Sequence, residues 1–198
     1  MMDFQKVSQE KFGFVSQHPT RVYEYAWLLE KMEAGSGNVL EIGAGVSPLP
    51  FCLMDMGYEV TTVDSAPPAV EPYNEWGFFD YGDSHNCDFS KYDTGLTFDT
   101  IYSISVIEHM TKDKRVMALQ RAYDLLKSKG RLLLTVDLHQ KTENIWNKNN
   151  GVKIEENHGT ASDIITEMKL IGFEILDDWI MGEIKGISID TFYIEAVK

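Results

Sequence analysis

The segment from Asn38 to Asp64 constrains the fold of this chain more than any other stretch. It begins with a short apolar run that ends at Ile42, passes through a turn containing Gly43 and Gly45, and returns in a second β-rich run that ends at Asp64. Apolar runs of this kind are typical of parallel strands covered on both faces, and the glycines allow a positive φ and a close approach of a ligand to the backbone. The segment therefore predicts a strand–turn–helix–strand unit that binds a nucleoside, with Asp64 at the carboxyl edge of the sheet facing the ribose hydroxyls.

The same turn discriminates between nucleosides. A dinucleotide-binding turn carries a third glycine three residues after the second, so that the helix N-terminus can approach a pyrophosphate. Here that position is Pro48, and Glu41 lies just before the turn. Because a carboxylate repels phosphate but suits a cationic amino-acid group, these residues favour an adenosine-linked cation over a diphosphate.

The sequence E-I-G-A-G from Glu41 to Gly45 closely resembles the first motif of the class I S-adenosylmethionine (SAM)-dependent methyltransferases. The resemblance spans residues 36–198, which it identifies as a SAM-binding methyltransferase domain. It implies an α/β fold with a seven-stranded, mostly parallel sheet, helices on both faces and a C-terminal antiparallel hairpin. Residues 1–35 are predicted to form an N-terminal helical segment that packs on or caps the active site. The alternative is that the glycines merely close a tight turn in another α/β domain.

The resemblance also implies which residues contact SAM. The backbone of the glycine turn would face the methionine and ribose portions, Asp64 would bind the ribose hydroxyls, and Asp88 would contact the adenine amino group with Phe89 flanking the ring. Backbone near Ser103 and Ile104, after the fourth strand, would also lie against SAM. The predicted cofactor-binding residues are Glu41, Gly43, Ala44, Gly45, Asp64, Ser65, Asp88, Phe89, Ser103 and Ile104. Two nearby acids compete with Asp88 for its role, Asp83 and Asp93.

The segment S-I-S-V-I-E-H-M, which ends with Met110, resembles the substrate-facing segment of small-molecule methyltransferases. His109 is the candidate general base, because imidazole titrates near neutrality and can take a proton during methyl transfer. Glu108 and His139 complete the predicted catalytic set, and His158 is a second candidate base. Alternatively, Glu108 and His109 simply begin a helix, where the acid favours the N-terminal dipole.

A metal-dependent alternative is open. Some relatives bind a divalent metal through E-x-x-E-H, but here the first position is Ser105. Glu108, His109, Asp137 and His139 could still converge as an oxygen and nitrogen set suited to a divalent ion. With one ligand missing, no metal site is predicted, and Asp137 and His139 are expected to line a polar substrate pocket.

Composition narrows the classes of partner. The chain has 198 residues, 43% of them hydrophobic, which suits one domain with a sizeable core. Its formal net charge of −13 and the lack of a basic run argue against nucleic acids and anionic membranes as partners. Cys52 and Cys87 lack a Cys-x-x-Cys partner and are expected to be buried reduced thiols. With no signal peptide and no apolar run of transmembrane length, we expect a cytoplasmic protein. The oligomeric state is not predicted.

Local patterns predict the remaining elements. An apolar helical face follows Thr20, a later helix is expected to end with Gly130 as its C-cap, and Thr160 with Asp163 resembles a capping box. The predicted later strands are His85–Phe89, Phe98–Ser103, Arg131–Val136, Phe173–Met181 and Ile189–Val197. The last two are separated by a short loop, which indicates an antiparallel pair.

Together these features predict methyl transfer from SAM to a hydroxyl of a small polar acceptor. Polar and aromatic residues around the expected pocket suit a sugar or a similar hydroxylated metabolite: Tyr73, Trp76, His109 and His139. The alternatives are N-methylation of a small molecule and a non-catalytic methyltransferase-like binding subunit. Two other enzyme classes are further alternatives: a nucleotide-dependent oxidoreductase, which Pro48 disfavours, and an aminopropyl transferase.

Overall fold

The computed structural model describes residues 3–15, 18, 20–32, 35–66, 79–146, 158–182 and 189–198. The helices are α1 (Phe4–Phe12), α2 (Arg21–Lys31), α3 (Leu49–Asp55), α4 (Lys112–Leu125) and α5 (Ala161–Ile171). The strands are β1 (Asn38–Ile42), β2 (Glu59–Asp64), β3 (Ser84–Asn86), β4 (Phe98–Ile104), β5 (Leu126–His139), β6 (Glu174–Met181) and β7 (Ile189–Val197). Short 3₁₀ turns at Phe89–Lys91 and Ile107–His109 follow β3 and β4. None of the described helices is both long and apolar enough to cross a membrane.

The strands form one seven-stranded sheet in the order β3-β2-β1-β4-β5-β7-β6. Strands β1 to β5 pair in parallel, and β7 lies antiparallel between β5 and β6. The predicted seven-stranded sheet with a C-terminal antiparallel hairpin is confirmed. Because the chain runs outward from β1 to β2 and then returns to β4, the carboxyl ends of β1 and β4 flank a topological switch point, where α/β folds bind ligands.

Two hydrophobic clusters cover the two faces of the sheet. On one face, α2 and α3 pack through residues such as Leu28 and Leu53 against the strands. On the other, α4 and α5 pack through residues such as Leu119 and Ile164. The strand residues of the two clusters point to opposite faces of the sheet, as expected for a sheet that is covered on both faces. The expected helices on both faces are thus confirmed.

Several local predictions also hold. The capping box at Thr160 is present, since its side chain and that of Asp163 each bond the other residue's backbone N–H. Helix α2 begins directly after Thr20, as the pattern indicates. The two cysteines are free as predicted, and Cys52 is buried, but Cys87 is only half-buried, so its predicted burial is wrong.

Several boundaries differ from their predictions: β5, predicted as Arg131–Val136, spans Leu126–His139. Gly130 does not cap a helix: α4 ends at Leu125, and Gly130 lies inside β5, where its carbonyl accepts the N–H of Lys198. Strand β3 ends at Asn86 rather than at Phe89, because the Asp88 carboxylate accepts the N–H of Ser90 and starts a 3₁₀ turn. In both cases a tertiary or side-chain hydrogen bond competes with the local pattern.

Candidate active site

The turn after β1 has the backbone shape that its glycines predict. Gly43 and Gly45 have φ values of 75° and 50°, in the left-handed region that favours glycine. A side chain at Gly43 would also place its Cβ 2.5 Å from a methyl carbon of Val106, which follows β4. The turn and the segment after β4 are therefore in direct van der Waals contact.

Asp64, at the end of β2, is tied to this turn. One carboxylate oxygen accepts the N–H of Gly45 at 2.9 Å and the other accepts the N–H of Ala66 at 2.7 Å. The residue is half-buried, and Ser65 beside it is exposed. Each carboxylate oxygen has a second lone pair, so Asp64 keeps the capacity to accept two further hydrogen bonds.

Glu41 lies beneath the turn rather than in it. It is 1% exposed, and Tyr102 on the neighbouring strand β4 donates its hydroxyl to the carboxyl at 2.9 Å. Burial raises the pKa of Glu41 to about 8, although hydrogen bonds from Tyr102 and Ser47 work in the opposite direction. Without a cation nearby, this carboxyl is mostly neutral at pH 7.

Aromatic side chains cover the outer side of the turn. Tyr81 donates its hydroxyl to the carbonyl of Ser47 at 2.9 Å and lies 3.2 Å from that of Gly45. Phe12, at the end of α1, packs with Tyr81 and Ala44 in a small separate cluster. Tyr73 and Trp76, which the sequence predicts to line the acceptor pocket, lie outside the described residues.

The predicted adenine-binding residues lie after β3. Asp88 is exposed, and its carboxylate accepts the hydroxyl of Ser90 at 2.8 Å, which is the main cause of its lowered pKa. Phe89 is 4% exposed and packs with Tyr92 in the hydrophobic core. In the described conformation Asp88 is thus accessible to a ligand, whereas the ring of Phe89 contributes to the core.

The end of β4 lies beside the turn. Ser103 is fully buried and donates its hydroxyl to the carbonyl of Ile42 at 3.0 Å. Ile104 is 6% exposed. Ser105, the next residue, has a φ of 48°, which is uncommon for a residue other than glycine.

A buried polar cluster fills the space between α2 and the ends of β4 and β5. Its centre is Glu24 of α2, whose carboxylate accepts the hydroxyls of Ser105 and Thr135, each at 2.5 Å. Arg21 forms an ion pair with the other oxygen at 2.5 Å. Burial acts to raise the pKa of Glu24, but Arg21 and the two hydroxyls outweigh it, so the pKa lies below its usual value.

Two further carboxyls adjoin this cluster. Glu108 is 0% exposed; one oxygen faces the N–H of Asp137 at 3.4 Å, and the other has no partner among the residues that the structure describes. Burial and the charge of Asp137 raise the pKa of Glu108 well above its usual value. Burial, followed by the charge of Glu24, raises the pKa of Asp137 to about 6. These raised pKa values favour the protonated forms of both carboxyls.

The three candidate histidines occupy different environments. His109 is exposed, and desolvation together with the charges of Arg21 and His158 lowers its pKa, so the ring is neutral at pH 7. His139 is exposed and its ring centroid lies 4.6 Å from that of Trp146. His158 is 7% exposed, and its Nδ1 lies 2.7 Å from the carbonyl of Glu108. That contact makes His158 a tether for the segment after β4.

Arg115 supports this tether from α4. It is 0% exposed, donates to the carbonyl of His158 at 2.8 Å, and forms two parallel hydrogen bonds of 2.8 Å with Glu167 of α5. The segment after β4 is thus held from both sides of the sheet, by Glu24 through Ser105 and by Arg115 through His158.

No metal site is evident in the described part of the chain, where no group of three or more His, Cys, Asp or Glu side chains could hold an ion. A shallow surface depression of about 570 Å³ lies between residues 90–93 and α4, not at the glycine turn. The chemistry-bearing side chains are instead gathered at the carboxyl ends of the strands, so we assign this depression no part in the site.

Glu24 and Arg21 were missed at the level of sequence. The pattern in α2 predicts only an apolar face, yet Glu24 lies one helical turn before Leu28 and so shares its buried side. A charged residue on the buried face of an amphipathic helix was the available signal, because such a charge requires partners.

Comparison with known proteins shows which family this chain matches and which solved structures it resembles. A family model described as a methyltransferase domain matches residues 17–177. Among solved structures, the chain resembles the 1,6-didemethyltoxoflavin-N1-methyltransferase of Burkholderia thailandensis, with a TM-score of 0.70 and 19% identity over 92% of this chain and 79% of that one. The N-methyltransferase NodS of Bradyrhizobium japonicum gives a TM-score of 0.68 and 13% identity, covering 100% and 99% of the two chains.

The glycopeptide N-methyltransferase MtfA gives a TM-score of 0.62 and 17% identity over 88% of this chain and 92% of that one. At these identities the likeness establishes the shared fold. Among curated proteins, no sequence matches this chain.

Proposed function

Because this chain belongs to the methyltransferase domain family, we propose that it transfers the methyl group of SAM to a small polar acceptor. The observation that carries this proposal is the hydrogen bond that the N–H of Gly45 donates to the carboxylate of Asp64, at the carboxyl ends of β1 and β2. It supports the proposal because it holds a carboxylate, which can accept hydrogen bonds from ribose hydroxyls, beside the glycine turn.

The proposed position of SAM follows from this edge of the sheet. The ribose hydroxyls bind Asp64, the adenine amino group lies toward Asp88, and the methionine portion lies along the turn toward Ser103 and Ile104. Structures of the relatives from B. thailandensis and B. japonicum contain S-adenosylhomocysteine (SAH), which supports this choice of cofactor. Because SAM is already an activated sulfonium, the protein's contribution to catalysis is to orient the methyl group in line with a nucleophile.

Glu41 has a specific role in this proposal. Its pKa of about 8 means that the carboxyl holds a proton in the unliganded protein at pH 7. The ammonium group of the bound methionine portion would favour the ionised form, since a nearby opposite charge lowers the pKa of an acid. Glu41 then contributes to binding by charge, with Tyr102 holding its orientation.

We propose a hydroxyl as the acceptor group and His109 as the base, the acceptor being a sugar or a similar hydroxylated metabolite. The imidazole of His109 is exposed and neutral at pH 7, and it lies in the segment after β4 that Glu24 and His158 hold in place. Glu108, in the turn after β4, and His139, the last residue of β5, are the other polar residues that we propose to lie near the acceptor.

A nitrogen acceptor is the second candidate, and one observation favours it. Glu108 and Asp137 are buried carboxyls with raised pKa values, and Glu108 has an oxygen without a partner in the described structure. A nitrogen-containing acceptor could form a hydrogen bond with that oxygen. The relatives named above include a 1,6-didemethyltoxoflavin N1-methyltransferase and a glycopeptide N-methyltransferase.

Calorimetric titration with SAM, SAH and NAD tests the proposed function. We expect SAM and SAH to bind with dissociation constants in the range of about 1–100 μM and NAD to show no comparable heat. Preferential binding of NAD, or no binding of SAM, would remove the proposal. SAM binding without SAH production in an acceptor screen would favour the non-catalytic alternative.

His109→Ala is expected to lower turnover by roughly 100-fold, the scale of general-base catalysis, while the SAM affinity changes less than about twofold. For the wild type, the rate should fall only below pH 6.5, since protonation of a base with a lowered pKa removes its lone pair. The measurements are SAH release against pH, using an acceptor active with the wild type, and calorimetry with SAM. Full activity in His109→Ala would eliminate this residue as the base.

A further inference from the structure

Glu24 is connected to the glycine turn by an unbroken series of contacts. Its carboxylate accepts the hydroxyl of Ser105 at 2.5 Å. The next residue, Val106, packs its side chain directly against Gly43. Gly43 and Gly45 then share the turn whose N–H group binds Asp64. A charge on α2 is thereby linked to the residues that face the proposed cofactor.

Ser105 is the strained member of this series. Its φ of 48° is unfavourable for a residue with a side chain, and such conformations persist only when the surrounding contacts impose them. The contacts are present: its N–H donates to the carbonyl and the hydroxyl oxygen of Thr135, both at 3.1 Å. Its hydroxyl lies 2.5 Å from Glu24 and 3.2 Å from Asp137.

Glu24 is the residue that completes these contacts. It is 0% exposed and binds four donors: Thr20, Arg21, Ser105 and Thr135. Arg21 lies on the same helix and Thr20 directly before it, whereas Thr135 lies on β5 and Ser105 directly after β4. A buried carboxylate requires all of these donors to stay in place, because an unsatisfied buried charge is costly. The helix and the segment after β4 are therefore fixed relative to each other.

We infer that Glu24 is a positioning residue, which holds Ser105 in its left-handed conformation and thereby seats Val106 against the glycine turn in the shape that binds SAM. This inference rests on the proposed function. It assigns to the N-terminal helix a part in cofactor binding that goes beyond covering the acceptor site.

Glu24→Gln tests the inference. In the wild type one carboxylate oxygen accepts from Ser105 and Thr135. The other oxygen accepts from Thr20 and Arg21. The amide has only one acceptor oxygen, so it cannot bind both pairs of donors at once. We expect SAH binding, measured by calorimetry, to weaken about tenfold. Glu30→Gln is the matched control: it removes the same charge from an exposed position of the same helix and should change the affinity less than about twofold.

A second variant separates positioning from general stability. Ser105→Ala removes the hydroxyl at the other end of the contact, and it also keeps the test valid if Glu24→Gln does not fold. The double variant should bind SAH about as weakly as the weaker single variant, because both changes break one interaction. The amide resonances of Gly43 and Val106 should shift in Glu24→Gln and stay unchanged in Glu30→Gln.

The outcomes are distinguishable. A Glu24→Gln protein with a lower melting temperature but unchanged SAH affinity and unchanged Gly43 and Val106 resonances would overturn the inference alone. So would fully additive losses in the double variant. A wild type that binds neither SAM nor SAH would remove the proposed function, and this inference with it.

Discussion

Replacement of Asp64 by alanine should weaken SAH binding at least tenfold. The variant loses the hydrogen bonds that the ribose hydroxyls donate to the carboxylate, each worth roughly 1.5–3 kcal/mol. It also frees the N–H groups of Gly45 and Ala66 that the carboxylate now binds. Asp64→Asn keeps the size of the side chain and one acceptor oxygen, so its loss should be intermediate. Calorimetry with SAH provides the measurement.

The control for this prediction is Asp55→Ala, at the exposed end of α3, which removes an equal charge. It should bind SAH as the wild type does, within about twofold. If Asp64→Ala retains wild-type affinity, the role of ribose ligand has been assigned to the wrong acid.

Replacement of Arg115 by methionine should cost about 3–5 kcal/mol of the free energy of unfolding, the range for breaking a buried ion pair. The substitution leaves Glu167 buried without its two hydrogen bonds of 2.8 Å and removes the donor to the carbonyl of His158. Urea unfolding followed by circular dichroism measures the loss. Because His158 contacts Glu108, we also expect the segment after β4 to loosen.

Arg121→Met is the matched control on the same helix. Arg121 pairs with Asp93, whose side chain is 91% exposed, and donates one hydrogen bond to the carbonyl of Tyr92. Because it leaves no charge buried, the variant should lose only about 1–2 kcal/mol. Arg115→Met combined with Glu167→Leu should recover part of the lost stability, since it removes the unpaired charge. A loss below about 1 kcal/mol in Arg115→Met would show that the buried pair does not anchor this segment.

Those parts of the fold that depend on short-range patterns and on the order of elements along the chain could be predicted from the sequence. The apolar run, the glycine turn and the acid at Asp64 predicted the first βαβ unit, and the close spacing of the last two apolar segments predicted the antiparallel pair. Ile189–Val197 was predicted with the bounds that the structure has. The capping box at Thr160 was found because both of its partners lie within four residues.

The sequence was insufficient where distant residues meet. Glu24 lies 81 residues from Ser105 and 111 from Thr135, and no periodic pattern signals such pairs. The same limit applies to Arg115, whose partner Glu167 lies 52 residues away. Gly130 was misassigned for a related reason: a C-terminal contact from Lys198 extends β5 through the position at which the pattern indicated a helix cap.

The central claim is that the turn between β1 and α3 holds the nucleoside of SAM. A crystal structure of the SAH complex tests it most directly, through the distances from the two ribose hydroxyls to the carboxylate of Asp64. We predict hydrogen-bond distances of about 2.5–3.0 Å, with the homocysteine portion along Gly43 and Gly45. Adenosine bound elsewhere, with Asp64 still contacting only Gly45 and Ala66, would contradict the claim.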